Sequence, residues 1–203
     1  MKLLMNYALI LLLFVAAACG SDQKATEADE AEDTEMDMTT DEETTEVAEP
    51  VKGNEASAVI NSASGSEMTG LATFIDNGDG SVTFKLMVEK ATKGEHAVHL
   101  HEKGDCSADD ATSAGGHWNP ESKDHGKRGE SGQYHAGDVA NLSVAADGMG
   151  SMIMTVEGWN VGAGGDNDVI GKAVIIHAKA DDFTSQPSGA AGARVGCGVV
   201  EMK

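Results

Sequence analysis

The chain opens on an apolar run, Ala8 to Ala18, preceded by Lys2 and followed by Cys19-Gly20-Ser21. Crossing a bilayer takes about 20 apolar residues, so this shorter run reads as the core of a signal peptide over residues 1–18. From 21 to 50 large apolar residues nearly vanish (Met36, Met38, Val47), and no regular element is expected. Beyond residue 51 the pattern changes to short β-prone runs. Leu71–Ile75 and Ser81–Val88 flank Asp76-Asn77-Gly78-Asp79-Gly80, which predicts a hairpin within Glu67–Val88. That turn lacks the ligand spacing and the terminal Glu of a calcium loop. Val98–Glu102, Ala140–Val144, Gly150–Val156, Ala173–Ala178 and Val195–Val200 are further strands, with Asp147-Gly148 as a second hairpin turn. No internal repeat and no amphipathic helix are evident. The expected fold is all-β, a Greek-key β-sandwich or flattened barrel of about eight antiparallel strands over residues 51–203. Two stretches carry no strand pattern, Lys103–Gly137 and Lys179–Gly192. Loops that long inside a compact domain are usually functional.

Composition sharpens this outline. Acidic residues outnumber basic ones 34 to 14, a formal net charge of -20, which excludes a nucleic-acid-binding role. Residues 21–50 hold 13 of those acids against Lys24 alone, so more than half of the charge lies on this segment. It cannot bury enough surface to offset ordering entropy, and residues 19–50 read as an extended, disordered acidic tether. Met36-Asp37-Met38 belongs to that tether rather than to a copper-capture site. The small residues before Cys19 resemble the bacterial lipobox, which implies lipidation of Cys19 and a stable membrane anchor. Gly20 in place of Asp implies, by the same resemblance, the outer membrane, facing the periplasm. Aromatics make up 4% against 40% apolar residues, so the core must come from Val, Ile, Ala, Leu and Met. Met149, Met152 and Met154 accordingly read as core filling. Three cysteines exclude a multi-bridge scaffold and a four-Cys zinc site.

The chemistry lies in the seven histidines, all between His96 and His177. His99 and His101 share one face of a strand, because side chains at i and i+2 do. His117, His125, His135 and Asp138 fall in the first long loop, and His177 ends an apolar strand. Neutral imidazoles favour copper and zinc, and a carboxylate in the set suits zinc. One such histidine would be a hydrogen-bonded structural residue. Six confined to a strand pair and a loop point to a metal centre.

The segments carrying them are Gly94-Glu95-His96-Ala97-Val98-His99-Leu100-His101-Glu102-Lys103-Gly104-Asp105-Cys106, Gly115-Gly116-His117-Trp118-Asn119-Pro120, His125-Gly126, His135-Ala136-Gly137-Asp138, Gly171 to Asp182, and Gly192 to Val199. In order and spacing they resemble the copper-zinc superoxide dismutases of the bacterial periplasmic type, over about residues 55 to 202. The resemblance implies that His99, His101 and His177 bind Cu, that His117 bridges Cu and Zn, and that His125, His135 and Asp138 complete the Zn site. It makes Asp181 the carboxylate that accepts hydrogen bonds from His99 and His125, fixing both rings. With Cys19 taken up by the anchor, it pairs Cys106 with Cys197, which export permits. It implies dismutation of superoxide to dioxygen and hydrogen peroxide, with His117 released from copper on reduction to carry a proton. Arg194 would stand at the channel mouth with a cationic fork for the anion. Lys123, Lys127, Lys172 and Lys179 are candidates for steering it. His96 matches no ligand and is expected at the surface. A copper-buffering or delivery lipoprotein without turnover is the alternative. A copper-only relative does not suit the presence of His125, His135 and Asp138, and a structural or adhesion protein leaves the histidines unexplained. Monomer and dimer both stay open, as does the role of the Gly158–Asp168 loop.

Overall fold

A computed structural model describes residues 53–203 except Ser131. The signal peptide, Cys19 and the acidic tether with Met36-Asp37-Met38 lie outside the described residues. Among the described residues, no helix is long and apolar enough to cross a membrane.

Among the described residues nine strands follow in order: β1 (Glu55–Ser62), β2 (Thr69–Asp76), β3 (Ser81–Glu89), β4 (Gly94–His101), β5 (Asp138–Val144), β6 (Gly150–Glu157), β7 (Ala173–His177), β8 (Arg194–Val199) and β9 (Glu201–Met202). Strand neighbours run β2-β3-β6-β5-β4-β7-β8-β1, and β1 pairs back onto β2. Eight antiparallel strands therefore close into a barrel, and β9 adds as an extra strand on β1. Closure leaves the barrel strands without free edges. The β3–β4 and β6–β7 connections skip over intervening strands, which gives the Greek-key order expected from the sequence. The barrel is thinnest between β5 and β6, where Val144 and Gly150 form the single register pair.

Alternation decides which face is inside. In β3, Val82, Phe84, Leu86 and Val88 are buried while Lys85, Met87 and Glu89 are exposed. Phe84 stands opposite Phe74 of β2, with ring centroids 5.1 Å apart. Trp159, from the β6–β7 connection, packs on both rings. The expected strands are all present. Two were missed: β9, of two residues, and β1, whose alternation is weak because Ala56 and Ala58 face inward with Ile60 while Val59 faces out. Met152 and Met154 pack on the core as expected, but Met149 is half exposed because it precedes β6, in the turn after Asp147.

β4 and β7 are buried on both faces over their last residues. One face belongs to the barrel core, through Val98, Leu100, Val174 and Ile176. The other is covered by the two long connections. Ala111 and Ala114, around a short 3-10 turn at Thr112–Ala114, pack with Ala173, Ile175 and Cys197 on the outside of the barrel. Cys106 and Cys197 form a disulfide there, with Cα atoms 5.9 Å apart. The start of the first loop is thereby fastened to β8. His99 and His101 emerge from β4 into the space between barrel and loops.

Candidate metal centre

His99 and His101 project from the same face of β4, and His177 from the end of β7 beside it. His117 comes from the first loop, held close by a backbone bridge to His101. In each ring one nitrogen is occupied. His99 Nε2 donates to Asp181 Oδ2 at 2.8 Å, and His101 Nδ1 donates to the Gly115 carbonyl at 2.9 Å. His177 Nδ1 donates to the Gly192 carbonyl at 3.2 Å, and His117 Nδ1 lies 2.8 Å from Asp138 Oδ1. The other nitrogens, His99 Nδ1, His101 Nε2, His117 Nε2 and His177 Nε2, are buried with no hydrogen-bond partner. Buried polar atoms are nearly always satisfied, so four orphans converging in one place need an explanation. The four side chains offer ligand atoms within 4.8 Å of one another. Burial holds the His101 imidazole down to about 2, His177 to about 3 and His117 to about 4. All three are neutral at neutral pH and keep a lone pair for a cation. This donor set fits copper.

The adjoining cluster is organised by Asp138, at the start of β5. Its carboxylate lies 2.8 Å from His117 Nδ1, 3.0 Å from His125 Nδ1 and 3.3 Å from His135 Nδ1. Three imidazoles and a carboxylate suit a tetrahedral zinc ion. His99 also comes within ligand distance of His117, His125 and Asp138, but its orphaned Nδ1 belongs to the first cluster. Burial opposes the charged form of Asp138, yet hydrogen bonds from His117, His125 and His135 hold it well below the usual carboxylate range. Burial likewise disfavours protonated His125, but its bonds to Asp138 and Asp181 carry it up to about 9.

Asp181 links the clusters. Oδ2 accepts from His99 and Oδ1 from His125 Nε2 at 2.9 Å. Gly189 closes over this link in a positive-φ conformation, and a Cβ there would collide with Asp181 Oδ1 and His125 Nε2. Asn141 of β5 pins the Asp181 backbone at both its amide and its carbonyl. Gln186 does the same for His125, accepting from its amide and donating to its carbonyl, each at 2.9 Å. The sequence reading missed both. They act on backbone across separations of 40 and 61 residues, and no local pattern marks them.

A cavity of about 420 Å³ opens onto the first cluster, lined by His101, His117, His177, Asn119, Ser188 and Arg194 among others. Arg194 begins β8 opposite His177. Its Nη1 donates to the Ala111 carbonyl at 2.6 Å and its Nη2 to the Gly115 carbonyl at 2.7 Å. Gly115 thus receives both Arg194 and His101, which locks the guanidinium to a metal-side ring. Of the four steering candidates, Lys123 and Lys127 are paired with Glu121 and Glu130, and Lys172 lies over the Trp118 ring. Lys179 remains, its side chain flanking the cavity residue Gly192.

His96 corrects an expectation. It faces away from His99, as strand parity requires, but it is 2% exposed rather than at the surface. It shares parity with the core residues Val98 and Leu100. Its ring lies between the His177 and Thr92 carbonyls, 2.7 Å from each.

Comparison with known proteins agrees with this geometry. The chain is 43% identical over 105 residues to the superoxide dismutase-like protein YojM of Bacillus subtilis (strain 168), an alignment covering 50% of this chain and 53% of that protein. The chain therefore spans about half the length of this relative. The crystal structure of the clock protein EA4 superposes with a TM-score of 0.66 at 32% identity, covering 75% of this chain and 96% of the other. The family model described as copper/zinc superoxide dismutase matches residues 68–200. That match takes in every histidine described above, Asp138, Asp181, Arg194 and the disulfide, and the chain belongs to the copper/zinc superoxide dismutase family.

Proposed function

We propose that the chain dismutates superoxide to dioxygen and hydrogen peroxide at this centre. The observation that carries the reading is the convergence of four orphaned imidazole nitrogens beside a cavity lined by three of those rings, His101, His117 and His177, and by Arg194. His99, His101, His117 and His177 are assigned to copper, and His117, His125, His135 and Asp138 to zinc. Copper would supply a one-electron redox cycle, and zinc a redox-inert charge.

The protein's own groups do the rest. Arg194 keeps its charge at any working pH and draws a small anion into a cavity whose surroundings are net negative. Two of its N–H bonds are spent on carbonyls, so the fork keeps a fixed orientation toward the anion. His117 stands between the clusters, its Nδ1 held by Asp138 and its Nε2 without a partner. Nε2 is the atom that would take up a proton and deliver it to the developing peroxide. Asp181 keeps the proton of His99 on Nε2, which leaves Nδ1 free to bind metal.

A second reading is copper buffering or delivery without turnover, and the name of the Bacillus relative, superoxide dismutase-like, favours weighing it. The measurement that separates the two is dismutation by purified protein loaded with one copper and one zinc, against a His101→Ala control. Rapid turnover that the control lacks supports the enzyme. Full occupancy of both metals without turnover supports copper handling. We further propose export and lipidation of Cys19, with the acidic segment as spacer from the outer membrane. A radiolabelled fatty acid should label the parent and leave a Cys19→Ser variant unlabelled.

A further inference from the structure

The two halves of the centre are held in different ways. His99, His101 and His177 ride on barrel strands, whose register fixes them. His135 and Asp138 sit at the two ends of a tight turn through Ala136 and Gly137, outside any strand until β5 begins at Asp138. Backbone bonds tie Gly137 to Leu100 of β4 and to Trp118, each at 2.8 Å, and the Ala136 carbonyl beside it is left to side-chain donors.

Arg128 reaches it from the same loop. Its Nε donates to the Asp138 carbonyl at 2.8 Å, and its Nη2 donates to the Ala136 carbonyl at 2.5 Å and approaches the His135 carbonyl at 3.5 Å. One guanidinium therefore faces three carbonyls of the ligand-bearing turn. Its central carbon lies 4.8 Å from the Tyr134 ring centroid and 5.3 Å from that of Trp159. Trp159 makes a second connection, donating from Nε1 to the Ala136 carbonyl at 2.8 Å. Trp159 is itself buried against Phe74, Phe84 and Trp118. The turn is thus referenced to the barrel core through Arg128 and Trp159, which gives the Gly158–Asp168 loop a role that its sequence does not reveal.

We propose that Arg128 is a positioning residue for the zinc half of the centre, setting the spacing of His135 and Asp138 through their backbone carbonyls. The proposal rests on the two-metal reading above. A planar fork fixes two acceptors at once and faces a third, as a point charge on a flexible stem does not. Lysine at 128 therefore keeps the charge and loses the geometry. Partners that orient metal ligands typically matter by about 10–100-fold in metal affinity.

The test uses the full chain, stripped of metal and then titrated with Cu²⁺ or with Co²⁺, whose visible absorption reports the zinc half directly. Arg128→Met should weaken Co²⁺ binding in chelator competition by about 10–100-fold and alter the cobalt absorption. Arg128→Lys and Trp159→Phe should do so to a smaller degree. Copper affinity should stay close to the parent's in all three, beside the modest fall in urea midpoint that unpaired carbonyls and a smaller core side chain bring. Unchanged cobalt affinity and absorption in all three variants would overturn the proposal. So would an equal loss at both metals together with a lowered urea midpoint, since Arg128 would then support the fold in general. A parent that takes up no Co²⁺ at this half removes the two-metal reading and the proposal with it, which is a different result from a variant that matches its parent.

Discussion

Breaking the Cys106–Cys197 disulfide should cost the metal-free domain about a third or more of its stability while leaving the proposed metal centre buildable. The bridge spans a sequence separation of 91 residues. Chain entropy for a loop of that size gives about 4.6 kcal/mol at 25 °C. Domains of this kind are stable by only about 5–15 kcal/mol in total, so a metal-free protein without the bridge approaches its unfolding threshold. The centre itself loses less. Ala111 and Ala114 still pack on Ile175, and Arg194 still holds the Ala111 and Gly115 carbonyls. Metal that binds only the folded state adds stability by mass action, so the metal-loaded protein without the bridge should remain folded. The assay is urea unfolding of the parent and a Cys106→Ser/Cys197→Ser double variant, each with and without copper and zinc. The expected result is a loss of about 4–5 kcal/mol in the metal-free pair, with metal uptake retained. A loss below about 1 kcal/mol would refute the reasoning, because the unfolded chain would then be constrained without the bridge. Loss of metal uptake in a variant that is still folded would refute the separation of stability from site geometry.

Three further outcomes follow from the same geometry. Asp181→Asn replaces one acceptor by a donor at the junction of His99 and His125; the loop ligand His125 should yield before His99 on its strand, lowering zinc affinity by about 10–100-fold and copper affinity less, as measured by chelator competition. Arg194→Ala should lower the dismutation rate by about tenfold or more and flatten its dependence on salt while both metals remain bound, and an unchanged rate would reject steering by this residue. In the metal-free protein, burial holds His101, His177 and His117 below their unfolded value of about 6.5, so the stability tied to their neutral forms is whole above that pH and drains away as pH falls from there through about 4, 3 and 2. His125, raised to about 9, acts in the opposite sense, its contribution whole below about 6.5 and lost as pH rises through 9. Urea midpoints across that range should therefore fall at both ends, and a flat profile on the acid side would contradict the burial of these rings.

The sequence was most legible where residue type and period act together. His99 and His101 could be placed on one face because strand parity is two, and the hairpin around Asp76–Gly80 because its turn chemistry is local. β1 was illegible for the opposite reason: two of its three inward residues are Ala56 and Ala58, and Val59 faces solvent beside the inward Ile60, so its alternation has little amplitude. Parity also explains the error at His96. It fixed the side of the strand on which the ring lies, but only the folded chain shows that this side is closed, with the His177 and Thr92 carbonyls waiting for it. The candidate ligands were legible as a cluster because a metal accepts few side-chain types, and the structure brings their rings together. The residues that hold them were not. Asn141, Gln186 and Arg128 bond to backbone amides and carbonyls, which every residue has, so no side-chain pattern at the far end announces the contact. What a metal site asks of its ligands is chemistry and can be written in a few residues. What it asks of their surroundings is position, and in this fold position is supplied mainly by strands around the proposed copper cluster and by side-chain bonds to loop backbone around the proposed zinc cluster, where β5 carries Asp138. The proposed zinc cluster should accordingly be the half where substitutions at residues other than the ligands do the most harm.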